Sequence, residues 1–188
     1  MQLSTVILSL FTAAASAAPS CGQRKFGIMA LRSASPIHFA TVSATKNKLV
    51  LNLPEDQVDS ECVDGKVHSA ATFYIKDEEL YLYGTKDRVQ QFLVDPSGMG
   101  QGVLQYFDKG DSDPSGRLTV KGWSVDQNEN LLFLNNSLLA CPSTTDNSWY
   151  LWVNVGIEKP AGQEGCLGLS ARTVTAKDPV KCTYSNYA

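Results

Sequence analysis

Histidine is almost missing from this sequence, with only His38 and His68 present. A Ser-His-Asp or Cys-His arrangement therefore has two imidazoles to draw on, and neither stands in a recognisable catalytic motif. The nucleophile elbow G-x-S-x-G is absent: Gly168-Leu169-Ser170-Ala171 carries the serine without the closing glycine. Zinc-type spacing is absent too, because no Cys-x-x-Cys pair occurs and neither histidine is expected beside a cysteine. Gly98, Gly100 and Gly102 alternate by two, which misses the spacing of a dinucleotide-binding turn. The carboxylates Glu78, Glu79, Asp111 and Asp113 fall in polar, turn-like clusters rather than as a facing pair. No catalytic, cofactor-binding or metal-ligating residue is expected.

Charge is sparse as well. Charged residues make up 19% of the chain, the net charge is -3, and no basic stripe exists, so a polyanion such as nucleic acid is disfavoured and no nucleic-acid partner is expected. Beyond the N-terminus no apolar run is long enough to cross a bilayer as a helix, and no membrane partner is expected. Helical periodicity is scarce throughout.

What the N-terminus does contain is an apolar stretch over residues 6–11 followed by Ala15-Ser16-Ala17-Ala18, then Pro19. The stretch is too short for a membrane span, and the small residues suit a signal peptidase. Residues 1–18 are read as a signal peptide and residues 19–188 as one domain of about 170 residues, large enough for a real core. Five cysteines remain: Cys21, Cys62, Cys141, Cys166 and Cys182. In an exported chain they read as disulfide partners, and the odd number leaves one thiol over. The expected pairs are Cys141 with Cys166 and Cys21 with Cys182, leaving Cys62 free.

Short β-rich runs broken by Gly, Pro, Asn and Asp recur every eight to twelve residues or so, which predicts an all-β domain. It is expected to be a single compact β-barrel or β-sandwich, with a β-trefoil-like fold as the alternative, stabilised by disulfides. Leu49, Leu51 and Leu53 alternate with polar or smaller residues, and Tyr81 and Tyr83 flank Leu82, as half-buried strands do. Trp149-Tyr150-Leu151-Trp152-Val153 is apolar throughout and predicts a central strand covered on both faces. Asp95-Pro96-Ser97-Gly98 and Asp113-Pro114-Ser115-Gly116 predict type I turns, and Asn135-Asn136 a tight hairpin turn. The runs Phe73-x-Ile75 with Leu80-x-Leu82, and Trp123-x-Val125 with Leu131-x-Phe133, suggest a duplicated hairpin unit.

Two surface features stand out. Asn135-Asn136-Ser137 is an N-glycosylation sequon on a predicted turn, so Asn135 is expected to carry a glycan. The segment Ser97-Gly98-Met99-Gly100-Gln101-Gly102 concentrates three glycines in five residues, and ordering so flexible a run is costly. It is expected to be a demanding surface loop on the functional face, with Met99 either plugged into the core or standing out as an adaptable contact. Trp123, Trp149, Trp152 and several tyrosines could serve as glycan-stacking platforms, although core packing is the expected role for most.

The run Asp95-Pro96-Ser97-Gly98-Met99-Gly100-Gln101-Gly102 resembles the PhiA family of filamentous-fungal cell wall proteins. Colinear landmarks extend the resemblance over the mature chain: Ala71-Thr72-Phe73-Tyr74-Ile75, Gly122-Trp123-Ser124-Val125-Asp126, Leu139-Ala140-Cys141-Pro142, Gly165-Cys166-Leu167-Gly168, and Lys177-Asp178-Pro179 leading to Cys182. The resemblance implies a secreted, non-enzymatic wall protein needed for phialide and conidium development, with wall polysaccharide or wall proteins as partners. One departure is Asp59-Ser60-Glu61, which stands where relatives are expected to carry a sequon. A secreted effector or elicitor and a lectin-like glycan-binding module are the alternatives. Ligand, wall attachment and oligomeric state are left open by the sequence.

Overall fold

The structure, a computed structural model, describes residues 23–110, 117–145 and 147–186. The expected signal peptide, Cys21 and the turn at Asp113 lie outside the described residues. The strands in chain order are β1 Phe26–Leu31, β2 Val42–Thr45, β3 Lys48–Leu51, β4 Glu61–Cys62, β5 Phe73–Lys76, β6 Glu79–Leu82 and β7 Gln90–Asp95. They continue with β8 Val103–Asp108, β9 Trp123–Val125, β10 Leu131–Phe133, β11 Leu138–Pro142, β12 Trp149–Val153, β13 Leu167–Thr175 and β14 Cys182–Thr183.

Eight of these strands close on themselves. The ladder runs β1-β5-β6-β7-β8-β12-β11-β13 and back to β1, antiparallel at every step. The fold is therefore a closed barrel, which leaves no free edge on those eight strands. Alternation sets the interior: Phe26, Ile28 and Ala30 of β1, and Phe92 and Val94 of β7, point inward, while Gly27, Met29 and Leu31 of β1 and Gln91 and Leu93 of β7 are half-exposed. Phe73, Phe92 and Tyr106 form a chain of ring contacts through the centre, at 5.8 and 5.7 Å between centroids.

Each end of the barrel is closed by a separate piece of chain. At one end the β9–β10 hairpin docks on the β5–β6 turn, where Glu78 carbonyl accepts from Trp123 N–H at 3.0 Å, and bridges to Arg172 of β13. It inserts Trp123, Leu131 and Phe133, all fully buried. The Trp123 indole N–H has no partner among the described residues. Burying an indole contributes about 4–6 kcal/mol at ~25 cal/mol/Å², which outweighs the about 1–3 kcal/mol cost of an orphan donor.

The opposite end is closed by the β2–β3 hairpin and the C-terminal segment. β3 pairs with Trp149 and Tyr150 of β12 where β8 and β12 part. Residues 182–186 lie across Gln90 and Tyr106: the Gln90 side-chain amide donates to Tyr184 carbonyl at 2.8 Å, and the Tyr106 hydroxyl donates to Ser185 carbonyl at 2.7 Å. Asp59 Oδ2 accepts from the hydroxyls of Thr45, at 2.8 Å, and Ser185. Burial raises the Tyr106 and Tyr184 phenols well above their ordinary value, because a phenolate has no solvent there.

Several expectations need correction. β12 is flanked by strands on both edges but covered on one face, since Tyr150 and Trp152 point outward and are half-exposed. β3 ends at Leu51, because Asn52 has a φ of 54° and turns Leu53 out of the strand. The hairpin turn after β10 is Leu134-Asn135, with φ of 47° and 62°, closed by reciprocal bonds between Phe133 and Asn136. This is the primed-turn geometry expected one residue later, and β10 and β11 then separate to different partners. The suspected duplicate hairpins play different parts: β5–β6 is barrel wall with a tight Asp77-Glu78 turn, whereas β9–β10 is an end cap.

Candidate functional site

The glycine-rich loop connects β7 to β8 and is locked from within. Asp95 is buried, and its Oδ1 accepts from Ser97 N–H at 3.0 Å. The expected Asp95–Gly98 type I turn is replaced by a wider one, in which Gln101 N–H reaches Ser97 carbonyl at 2.7 Å and Gly102 N–H reaches Asp95 carbonyl at 2.9 Å. The Gln101 side chain accepts from Ala161 N–H at 2.6 Å, tying the loop to the segment after β12.

The three glycines are not equivalent. A Cβ on Gly100 would stand 2.0 Å from Asp95 Cγ, and one on Gly102, whose φ is 84°, would stand 2.1 Å from the Val153 carbonyl oxygen. A Cβ on Gly98 would meet nothing within 4 Å. Met99 is 79% exposed, so it stands out from the loop and does not plug the core. The arrangement is a rigid base presenting one soft apolar side chain.

The disulfides join Cys62 to Cys182 and Cys141 to Cys166. The first corrects two expectations: Cys182 does not pair with Cys21, and Cys62 is not the free thiol. The cause is the β4–β14 register, which sets Cys62 directly opposite Cys182 with the Cα atoms 4.0 Å apart. The second staples the start of β13 to β11, next to the Leu167–Ala140 pair.

The two histidines make separate local contacts. His38 Nδ1 accepts from Arg32 N–H at 3.1 Å, and its ring lies against Phe39 at 3.9 Å. His68 comes closer to a cysteine than expected: its ring and Asp64 lie with Cys62 Sγ within 4.8 Å of one another. The Cys62 sulfur is bonded to Cys182, so it offers no thiolate. His68 Nε2 instead pairs with Asp64 at 2.8 Å, and the hydrogen bond from the imidazole lowers the Asp64 carboxyl below its ordinary value. Ser60 is near, yet its hydroxyl bonds the His68 backbone on both sides, at 2.9 and 3.0 Å, and not the imidazole. A nucleophile activated by that ring is not assembled there.

Of the aromatic platforms, Trp123 is buried and Trp149 packs against the core. Tyr74 and Tyr81 stack on each other at 5.1 Å with Lys25 over Tyr74, so their faces are occupied. Trp152 is half-exposed on the outer wall. Asn135 is exposed on its turn.

A closed antiparallel barrel, capped at both ends and stapled by two disulfides, defines the class: a disulfide-bonded all-β protein built for an oxidising, extracellular setting. Residues 26–185 match the model of the PhiA-like secreted protein family. The chain is 39% identical over 184 residues to the cell wall protein phiA of Emericella nidulans, covering 97% of this chain and 98% of that one. It is 34% identical to the proteins of the same name from Aspergillus fumigatus, covering 98% of this chain, and Aspergillus niger, covering 99%. Each of those two relatives is covered over its full length. No solved structure matches the chain. The chain belongs to the PhiA-like secreted protein family, and its place is outside the cell, with the wall.

Proposed function

We propose that this protein is a non-enzymatic structural component of the fungal cell wall that supports asexual development, in phialide and conidium formation. It acts by holding the 97–102 loop against a wall polysaccharide or wall protein. The observation that carries this reading is Met99, 79% exposed on a loop whose base is fixed by a buried carboxylate and two glycines that tolerate no side chain. A flexible, polarizable side chain on a rigid mount is an adaptable contact that loses little order on binding. An N-glycan on Asn135 is part of the reading, and it should appear as a mobility shift on enzymatic deglycosylation that Asn135→Gln removes.

The test is a strain lacking the protein, complemented with tagged wild type or Met99→Ser. The protein is expected in the glucanase-released wall fraction, and the wild type is expected to restore conidiation. Recovery entirely from the medium refutes the wall role, and normal conidiation in the deleted strain refutes the developmental one. A stable Met99→Ser variant with full function leaves the loop as architecture alone. Purified protein should hydrolyse no ester, peptide or wall glucan. Turnover lost on changing His38 or His68 would overturn the non-enzymatic reading.

A further inference from the structure

The outer wall of the barrel is recessed where the segment 154–166 borders β11 and β13. Register sets Leu139 of β11 opposite Trp152 of β12 on one side and Gly168 of β13 on the other, so the three form one row across the wall. The next row, Leu138, Val153 and Leu169, is buried inside the barrel, which fixes the Leu139 row on the outside. Leu139 is nevertheless only 7% exposed. It is the floor of a trough of about 550 Å³ whose far wall includes Asn154, Ile157, Glu158 and Lys159.

That far wall is tied down along its length. Asn154 N–H donates to Ser137 carbonyl at 2.9 Å, Ala161 N–H to the Gln101 side chain at 2.6 Å, and Cys166 is bridged to Cys141. A site fixed in advance loses little order on binding. Gly168 puts no side chain on the floor, and the Arg32 guanidinium donates to its carbonyl at 2.7 Å. Two polar groups of the wall are unspent. Among the described residues the Glu158 carboxylate has no partner, and Asn154 uses only its Oδ1, on Gly156 N–H at 3.2 Å, so its amide N–H groups stay available. Lys159, by contrast, is paired with Glu164 at 2.8 Å.

We infer that this trough binds a neutral polysaccharide chain. The apolar face of a sugar ring lies on Leu139 and Ile157, with the half-exposed Trp152 alongside, and its hydroxyls meet Glu158, Asn154 and Arg32. A pyranose ring has this same division, C–H groups on its faces and hydroxyls at its edge. A carboxylate accepts from hydroxyls, and amide and guanidinium N–H groups donate to them. An acidic polymer would bring its charge against Glu158 while the Lys159 charge is already paired, so a neutral chain fits better. The volume falls within the roughly 300–1,000 Å³ of ligand sites, enough for a short run of sugar rings. The inference rests on the wall reading for its ligand, and it deepens that reading by naming a surface joined to the Met99 loop through Gln101 and Ala161.

The experiment titrates the disulfide-intact mature protein, labelled for amide NMR, with laminarihexaose, chitohexaose, glucose and, as the acidic control, oligogalacturonate. One or both neutral hexasaccharides are expected to shift the amides of Asn154, Ile157 and Gly168, and the arm that binds tighter identifies the polymer. Binding should be independent of salt, since a neutral ligand makes no ion pair. Gly168→Val fills the floor: the strand backbone suits valine, and a Cβ there meets only Arg32 Nη1, at 4.0 Å. It should abolish the shifts with unfolding temperature retained. Glu158→Ala, at an exposed position, should weaken affinity about tenfold or more. Undiminished binding by Gly168→Val refutes the trough, and undiminished binding by Glu158→Ala refutes the role of its carboxylate. Oligogalacturonate binding as tightly as the neutral chains, or affinity that falls with salt, refutes the neutral assignment. Glucose binding as tightly as a hexasaccharide refutes the chain, and no shift with any probe refutes the site. Tagged wild type found in the wall fraction while the purified protein binds no hexasaccharide strikes the trough and leaves the wall role standing. Hexasaccharide binding by a protein recovered entirely from the medium does the reverse.

Discussion

The two disulfides enclose loops of very different length, and that difference is measurable. Cys62 and Cys182 are 120 residues apart and Cys141 and Cys166 are 25 apart. Constraining the unfolded chain over the outer loop contributes about 4.7 kcal/mol, even after shortening it by the inner bridge, against about 3.5 kcal/mol for the inner loop. Side-chain burial does not confuse the comparison, since each pair has one buried and one half-buried cysteine. Replacing both members of a pair by alanine therefore isolates the loop term. Urea unfolding at neutral pH should show Cys62→Ala/Cys182→Ala as the less stable double variant by about 1 kcal/mol. The outer variant should lose about 10–20 °C in unfolding temperature relative to wild type. The outer bridge also anchors the segment 182–186 that closes one barrel end, so its loss should expose Tyr106 and Tyr184 to solvent before global unfolding. An inner variant equal to or less stable than the outer one would refute the reasoning. With four cysteines bridged, native protein in denaturant without reductant should alkylate once, on Cys21.

The glycine loop predicts a graded series: Gly98→Ala should change stability by under about 0.5 kcal/mol. Gly100→Ala and Gly102→Ala should each cost about 1–3 kcal/mol, through the Asp95 clash and through positive φ with the Val153 carbonyl. Equal effects at all three positions would refute this reading of the loop. Alkali should unfold the protein. Burial raises the Tyr106 and Tyr184 phenols, so their contribution is complete below the unfolded value near ~10 and is lost as pH rises above it. The slope should be about 1.4 kcal/mol per pH unit for each phenol, read from urea midpoints of alkylated protein between about pH 8 and 11.5. Burial also raises the Tyr81 and Tyr74 phenols, so Tyr106→Phe should remove only its own share, about 1.4 kcal/mol per pH unit, and an unchanged slope would refute the assignment.

The sequence by itself determined what depends on neighbours along the chain. Alternation at Leu49 and Leu51 and around Leu82 marked β3 and β6, because side chains of successive residues point to opposite faces, and the unbroken apolar run Trp149 to Val153 marked β12. Turn chemistry around Asp95 and Asn135 located the loops to within a residue or two. The family was legible in the run from Asp95 to Gly102, and the Cys141–Cys166 bridge in two cysteines that flank the Trp149 to Val153 strand.

What depends on distant partners was decided only by the tertiary structure. β4 and β14 are two residues each and carry no periodicity, so nothing local revealed that Cys62 faces Cys182. The outward face of β12 looked apolar on sequence because Tyr150 and Trp152 are bulky, and only barrel closure shows that one face remains uncovered. Met99 could be placed outside only once Asp95 was seen to fill the space beneath Gly100. Local pattern is written by backbone geometry, whereas register and closure follow from the pairing of segments far apart in sequence, whose only record is the burial they share.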